Sequence, residues 1–191
     1  MEHNIKEIVN NIYPISDRSI QEIENLLRYV RYEKGTVFIR KNQGNQLEYF
    51  LLEGICKNYL LSPEGEEVTI SFFTPKSILS PYTTRVNKQQ SILNFRAVTE
   101  LRIATMDAHA FEQCMIENIE IRNFGNAVLR KELALKVDKE IGLAAFTAKE
   151  RLLAFRERYP FLENQIPHTD IASYLGITNV TLSRLRKDLS R

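Results

Sequence analysis

The segment 167–191 constrains the fold of this chain most strongly, because its apolar spacing fits two short helices joined by a tight turn. Gly176 stands where the chain must turn sharply, since glycine adopts positive φ at little steric cost. Thr178 can cap the following helix, which we expect from about Asn179 to Leu189. The apolar face of the first helix consists of Ile171, Ala172 and Leu175. This pattern predicts a helix-turn-helix unit.

The exposed face of the predicted second helix carries hydroxyl, amide and guanidinium groups instead of a mixture of glutamate and lysine. Leu182 and Leu185 form its expected buried face. An αα-hairpin that binds no nucleic acid is the alternative, but from Thr178 onward four basic residues oppose only Asp188. These features favour a helix that reads the major groove of DNA. The side chains expected to face or flank the groove are Asn179, Val180, Thr181, Ser183, Arg184 and Lys187.

Composition and charge support two domains and a nucleic-acid partner. The chain has 191 residues, of which 43% are hydrophobic, and this is enough for one substantial core and a small second one. The net charge is only +2, yet residues 147–191 hold eight Lys/Arg against five Asp/Glu. The positive charge is therefore concentrated at the predicted DNA reader, where it would attract phosphates.

The sequence contains no signal for membrane insertion or export. It has no run of about 18 apolar residues, and its first residues lack the apolar core of a signal peptide, so we expect a cytoplasmic protein with no membrane partner. Cys56 and Cys114 are too few and too far apart for a disulfide framework or a thiolate cluster. We expect both to be unpaired, with no redox role.

The apolar periodicity changes from helical to strand-like in the first half of the chain. From Ile5 to about Val30 the spacing is helical, with Ser16 as an N-cap candidate. Short apolar or alternating runs then recur about every ten residues between turn signals, which predicts a sandwich or barrel of antiparallel strands. The clearest hairpin turn is Ser62–Gly65. The predicted strands are Thr36–Arg40, Leu47–Leu52, Cys56–Leu61, Val68–Phe73, Ile92–Val98 and Leu101–Met106.

Residues 107–145 contain almost nothing that breaks a helix. A helix of about 25 residues spans about 37 Å, which is longer than a small domain needs for its own core. Lys131 and Asp138 interrupt a strict heptad, so packing against the β domain competes with pairing between two copies. We favour a homodimer, because a single reader helix buries too little surface for a useful operator affinity. The expected dimerisation residues are Ile121, Phe124, Val128 and Leu135.

The order of a β domain, a long helix and a C-terminal helix-turn-helix resembles the Crp/Fnr family of bacterial transcription regulators. The segment 171–187, IASYLGITNVTLSRLRK, is similar to the family's recognition unit, including the Ser183-Arg184 pair. In the β domain, Glu33–Thr36, Glu53-Gly54 and Pro63–Glu67 are similar to the family's effector barrel.

This resemblance implies an α+β fold with three parts. We expect an antiparallel β-barrel or jelly roll of the cyclic-nucleotide-binding type, with N-terminal helices, in residues 1–106. A long dimerisation helix (107–145) should connect it to a C-terminal winged helix-turn-helix (146–191).

The ligand residues of cyclic-nucleotide-binding members are replaced in this chain. A Gly-Glu pair and an Arg-Ser/Thr-Ala triplet are expected where the chain has Ser80-Pro81 and Gln90-Ser91 or Ser91-Ile92. An uncharged side chain cannot replace the guanidinium that a cyclic phosphate needs, so cyclic AMP is not the expected effector. Phosphate binding by Arg85 or Lys88 is the alternative. The candidate effector pocket comprises Ser80, Pro81, Tyr82, Arg85, Gln90 and Ser91.

No resident cofactor or metal is expected, although an unidentified small molecule could act as the effector. The N-terminal cysteine group of the family's oxygen-sensing members is absent, which argues against an iron–sulfur cluster. Haem ligation by His3 or His109 has little support from isolated histidines. A cupin-like enzyme would need clustered ligands, whereas these two residues and His168 lie in three different segments. We therefore do not expect an enzyme.

The resemblance implies a dimer on an inverted repeat of double-stranded DNA, with half-sites about one helical turn apart. Arg184 matches the family arginine that reads guanine through O6 and N7. Asn179 is expected at an adenine edge or a phosphate, and Thr181 at a base or a phosphate. Val180 stands where many members have an acidic residue and can touch only a thymine methyl, so the operator should differ from the best-known family consensus. The expected phosphate contacts are His168, Arg186 and Lys187.

A second hypothesis gives the barrel a different role. In it, the barrel docks a protein such as RNA polymerase, and DNA binding does not depend on any small molecule.

Overall fold

The computed structural model describes residues 5–79 and 90–189. The chain divides into two compact units, the first formed by residues 1–58 and 72–133 and the second by residues 59–71 and 134–191. Several residues considered for the effector pocket or for haem ligation lie outside the described residues: His3, Ser80, Pro81, Tyr82, Arg85 and Lys88.

The N-terminal segment of the first unit forms two short helices, α1 (Ile5–Asn10) and α2 (Asp17–Glu24). Ser16 caps α2 as predicted, because its hydroxyl accepts a hydrogen bond from the backbone N–H of Ser19. The prediction of helical structure to about Val30 was wrong, since this residue pairs with Ile103 in a β-ladder. The β-branched and aromatic side chains around Val30 favour that pairing over a further helical turn.

The described residues contain eight strands in two four-stranded sheets, ordered β1-β8-β3-β6 and β2-β7-β4-β5. The strands are β1 (Arg28–Tyr32), β2 (Val37–Ile39), β3 (Leu47–Glu53), β4 (Cys56–Leu61), β5 (Glu67–Phe73), β6 (Ser77–Leu79), β7 (Asn94–Ala97) and β8 (Leu101–Asp107). The antiparallel β domain is confirmed, as two sheets and not as a closed barrel. The predicted turn closes the β4–β5 hairpin, with Gly65 at a φ of 84° and Ser62 N donating to the carbonyl of Glu66 over 2.8 Å.

Aromatic and aliphatic side chains fill both faces of the first sheet. Toward the second sheet, the ring of Tyr49 lies 6.1 Å from that of Phe38 on β2. The opposite face of β3 and β8 packs against the helices of this unit, with Phe50, Ala104 and Met106 in the core. This helical layer over one sheet face is what fixes the position of the N-terminal segment.

The expected continuous helix from residue 107 is interrupted at Asn118, so that it forms α3 (Ala108–Glu117) and α4 (Ile119–Ala145). Asn118 has an extended backbone, with φ of −123° and ψ of 113°. Its side-chain oxygen accepts a hydrogen bond from Glu120 N over 2.9 Å. Asparagine competes with the helix by bonding to nearby backbone groups, which explains why it ends α3 and caps α4.

The second unit is helical apart from the tip of the β4–β5 hairpin. A capping box formed by Thr147 and Glu150 begins α5 (Ala148–Arg158). A short 3-10 helix (Leu162–Asn164) follows, and then α6 (His168–Leu175) and α7 (Asn179–Leu189) complete the predicted helix-turn-helix.

The β-strands of a wing are absent from the described residues of the second unit that follow α4. Pro160 and Pro167 bound the link between α5 and α6, and the residues between them are too few for two paired strands and a turn. The helix-turn-helix is therefore formed without the expected wing in this part of the chain. No helix in the described residues is long and apolar enough to cross a membrane.

Candidate nucleic-acid interface

The turn between α6 and α7 has the geometry that the sequence predicts. Gly176 has φ of 65° and ψ of 39°, and its N–H donates to the carbonyls of Ala172 and Ser173 at the end of α6. Thr178 then caps α7, because its hydroxyl accepts a hydrogen bond from Thr181 N over 3.1 Å.

A small apolar core fixes which side of α7 faces solvent. Leu182 is 1% exposed and is the residue through which α7 is anchored. On α6, Ile171 and Leu175 are buried, and on α5, Leu152 and Phe155 are buried as well. Burial of one leucine stripe leaves the opposite face of α7 toward solvent.

The solvent face of α7 brings together the predicted base-reading residues. Asn179, Ser183 and Arg184 are exposed, and Val180 is 60% exposed. No hydrogen bond or ion pair engages Arg184 within residues 5–79 and 90–189. An unengaged guanidinium on an exposed helix face is the group that pairs with guanine O6 and N7.

Thr181 and Lys187 complete this face in different ways. Lys187 is exposed near the end of α7. Thr181 is only half-buried, and its hydroxyl lies 3.0 Å from that of Thr178. The capping turn therefore already holds the Thr181 hydroxyl, which a contact to DNA would have to share.

Arg186 and His168, predicted as phosphate contacts, are held within the unit. Arg186 Nε forms an ion pair with Glu163 Oε1 at 2.6 Å, and its Nη1 lies 2.7 Å from His168 Nε2. Arg156 on α5 binds the same carboxylate, with its Nε 2.6 Å from Glu163 Oε2. The ion pair with Glu163 thus competes with any phosphate contact of Arg186.

The tip of the β4–β5 hairpin is tied to α6 by hydrogen bonds within the second unit. The Ser173 hydroxyl accepts from Thr69 N over 2.9 Å and donates to the carbonyl of Glu67 over 3.1 Å. These two bonds satisfy backbone groups of β5, the outer strand of its sheet.

Two lysines of α4 form hydrogen bonds with residues of β5. Lys139 Nζ donates to the carbonyl of Ile70 over 2.6 Å and lies 3.9 Å from the centre of the Tyr174 ring. Lys136 Nζ donates to the Ser71 hydroxyl over 3.1 Å. Burial and the positive charges of Lys136 and Arg158 lower the pKa of Lys139 to about 7.

The described part of the predicted effector pocket is small. Ser91 is buried, and its hydroxyl donates to the carbonyl of Leu93 over 2.6 Å. Gln90 is partly exposed and pairs with Gly44 in an isolated β-bridge. Neither side chain offers a positive charge to a phosphate.

A separate cavity of about 460 Å³ lies in the second unit. Its lining includes Leu143, Phe146 and Leu175 as apolar walls, and the basic side chains of Lys139 and Arg158. Gln90 and Ser91, the described residues of the predicted effector pocket, do not line it. No group of three or more His, Cys, Asp or Glu side chains that could hold a metal is found in the described residues.

Ile121 and Phe124, expected at a dimer contact, lie inside the core of the first unit, at 0% and 1% exposure. Val128 packs against that core as well, whereas Leu135 is exposed. The first part of α4 therefore packs on its own β domain, which corrects these three residues of the predicted dimer face. An exposed apolar stripe with four-residue spacing follows along α4: Leu129, Leu133, Val137 and Ile141.

Sequence reasoning missed Glu163, Lys139 and Ser173. Each acts through a partner distant in the sequence, and a spacing pattern does not reveal such a partner. The stripe at Leu129 and Leu133 was visible as a four-residue spacing, but the sequence alone did not separate it from the apolar residues that pack on the β domain.

Comparison of the sequence with known proteins identifies one matching domain family and several related regulators. Residues 29–118 match the cyclic nucleotide-binding domain family. The nitrogen fixation regulation protein FixK of Bradyrhizobium diazoefficiens is 26% identical over 179 residues, which cover 90% of this chain and 76% of FixK. The transcriptional activatory protein AadR of Rhodopseudomonas palustris is 25% identical over 182 residues, covering 90% of this chain and 74% of AadR.

Solved structures show the same fold. FixK2 from Bradyrhizobium japonicum superposes with a TM-score of 0.75 at 20% identity, covering 86% of this chain and 84% of FixK2. A CooA mutant from Carboxydothermus hydrogenoformans gives a TM-score of 0.71 at 22% identity, covering 100% of this chain and 85% of CooA.

The relatives are named as regulators and not as enzymes. A cyclic nucleotide-binding domain, a long helix and a helix-turn-helix occur here in one chain. The chain is therefore similar to transcription regulators of the Crp/Fnr type.

Proposed function

We propose that this regulator acts as a homodimer that reads an inverted repeat in double-stranded DNA with the exposed face of α7. The observation that carries the proposal is that Leu182 is buried on one side of α7, while Arg184 is exposed and unengaged by the described residues on the other. An exposed guanidinium is a bidentate donor suited to base edges in a major groove, which supports the proposal.

The base contacts are assigned by side-chain chemistry. Arg184 donates to guanine, which contributes about 1–3 kcal/mol of discrimination against other bases. Asn179 contacts an adenine edge or a phosphate, and Val180 contacts a thymine methyl. Lys187 contacts a phosphate, which adds affinity without sequence preference.

The dimer is proposed to form through the apolar stripe on α4. Leu133 is 65% exposed and Ile141 is 50% exposed, which leaves large apolar side chains in water unless a second chain covers them. A spacing of four residues places them on one face of the helix. Two copies of α7 then supply the two half-sites of an inverted repeat.

Cyclic AMP is not the proposed effector. The described part of the pocket offers only the uncharged Gln90 and Ser91, and the Ser91 hydroxyl is already engaged by Leu93. Either an unidentified small molecule or no small molecule at all controls DNA binding. In the second case the β domain could dock a protein such as RNA polymerase. We place the protein in the cytoplasm, where its DNA target would be.

Selection from random double-stranded DNA without added ligand tests the proposal. Enrichment of an inverted repeat supports a dimer that is competent without an effector. Arg184→Ala should then lose sequence preference, whereas Lys149→Ala, which removes one exposed charge from α5, should keep it. Equal operator affinity of both variants would refute the assignment of Arg184.

The dimer is tested separately by sedimentation of the purified protein. Leu133→Glu should give a monomer, because a carboxylate cannot be buried unpaired at an apolar contact. Leu153→Glu makes the same substitution at an exposed leucine of α5 and should leave the dimer intact. Dimers of equal stability in both variants would contradict the α4 contact.

A further inference from the structure

Glu163 lies between two arginines of the second unit. It is 9% exposed, and it receives hydrogen bonds from Arg156 Nε over 2.6 Å and from Arg156 Nη2 over 3.2 Å. Its Oε1 also lies 2.6 Å from Nε of Arg186. One carboxylate on the 3-10 helix thus links α5 to α7.

Arg186 and Arg184 differ in what they can contact, although both lie on α7. Arg184 is exposed, whereas the Arg186 side chain is about one-third exposed, at 32%. The Arg186 guanidinium is paired with Glu163, which it shares with Arg156, and also lies against the ring of His168. Of these two arginines on α7, Arg184 is therefore available to DNA, whereas Arg186 is restrained by its partners.

This division matters because phosphate contacts raise affinity for every DNA sequence alike. A cation held by a carboxylate contributes less to that affinity than a free one. The base contacts of α7 are unaffected, so they supply a larger share of the binding free energy, while the salt-dependent share becomes smaller.

We propose that Glu163 is a positioning residue that sets the salt dependence of DNA binding: it withholds Arg186 from the phosphate backbone and fixes the orientation of α7. The inference rests on the proposed DNA-reading function. The hydrogen bonds from Arg156 also hold the pKa of Glu163 below its ordinary value, so the carboxylate stays ionised near neutral pH.

Glu163→Gln is the direct test, with Glu157→Gln as its matched control. Both variants remove one negative charge, but Glu157 is an exposed residue of α5. The measurement is the affinity for a random duplex over a series of salt concentrations. Glu163→Gln should steepen the slope of log affinity against log salt by about 0.9, as expected for one added phosphate contact. A fourfold increase in salt then weakens its binding about 3.5 times more than that of the unchanged protein.

Arg186→Gln distinguishes a withheld cation from a general change in structure. Alone it should leave the slope unchanged, because Arg186 makes no phosphate contact while Glu163 is present. Combined with Glu163→Gln it should return the steepened slope to its original value. Glu163→Asp should keep the original slope, since it retains the charge.

The outcomes separate the two proposals. A slope that falls by about 0.9 in Arg186→Gln alone overturns the inference, even if Glu163→Gln cannot be purified in folded form. Equal slopes for Glu163→Gln and Glu157→Gln overturn it too, while operator selection by the unchanged protein still supports the proposed function. An unchanged protein that selects no operator refutes the proposed function itself.

Discussion

Replacing Lys139 by methionine should stabilise the protein near pH 7, although it removes a hydrogen bond. In the folded chain the pKa of Lys139 is lowered from 10.5 to about 7. At about 1.36 kcal/mol per pKa unit, the protonated amine is disfavoured in the folded state by about 4–5 kcal/mol. Methionine retains the length of the apolar stem without the charge.

The substitution also removes two contacts of Lys139, and their loss partly offsets this gain in stability. The hydrogen bond to the carbonyl of Ile70 and the contact with the Tyr174 ring together contribute about 2–3 kcal/mol. We therefore expect Lys139→Met to raise the free energy of unfolding by about 2 kcal/mol near pH 7.

The pH dependence gives the sharper test. Because the folded pKa of Lys139 lies below the unfolded one, the unfolded state binds more protons between about pH 7 and pH 10. Stability of the unchanged protein should therefore rise with pH, by about 2 kcal/mol from pH 7 to pH 9. Lys139→Met should lack this increment.

Denaturant unfolding followed by far-UV circular dichroism measures both effects. Burial raises the pKa of the Cys56 thiol, which acts in the opposite direction at high pH, but it is common to all variants and cancels in the difference. Lys149→Met, at an exposed lysine of α5, should behave like the unchanged protein. The reasoning fails if Lys139→Met keeps the full rise in stability with pH.

Three further substitutions test the geometry of the second unit. Thr178→Ala removes the cap of α7 and should cost about 1 kcal/mol in the free energy of unfolding. Gly176→Ala should cost about 1–2 kcal/mol by thermal unfolding, because Gly176 has positive φ and an added Cβ would lie 3.4 Å from Leu143; an unchanged midpoint would contradict this. Ser173→Ala should accelerate hydrogen exchange at the amide of Thr69, and equal protection would show that this bond is not maintained in solution.

The elements that could be predicted from the sequence are those set by local chemistry. Gly176, Thr178 and Ser16 each act within a few residues of their own position, through a positive φ or a cap, and all three are confirmed. The turn at Ser62–Gly65 is of the same kind. Local signals of this type do not depend on how the rest of the chain folds.

The errors arise where the local sequence fits two structures equally well and only contacts with distant parts of the chain decide between them. The apolar periodicity of α4 was correct, but Phe124 packs inside the first unit while Leu133 remains exposed. The deciding difference is that the first unit buries the side chain of Phe124 and leaves that of Leu133 in solvent. Asn118 was overlooked because a single asparagine is tolerated in many helices, and here its side chain caps the following turn.

The base-reading face of α7 was predictable, whereas the state of its flanking cations was not. The sequence predicts Arg184 as a base contact and Arg186 as a phosphate contact, but it does not reveal that Arg186 is paired. Its partner Glu163 lies more than twenty residues earlier in the chain.

The hydrogen bonds between the β4–β5 hairpin and α6 also protect the protein from aggregation through strand pairing. β5 is an edge strand, and an edge with free backbone N–H and C=O groups is a template for pairing with another chain. Here the Ser173 hydroxyl occupies the groups of Glu67 and Thr69 that a foreign strand would need. Partial unfolding that frees the hairpin from α6 would expose this edge. The contact with α6 therefore links parts of the unit and also reduces the tendency of β5 to aggregate.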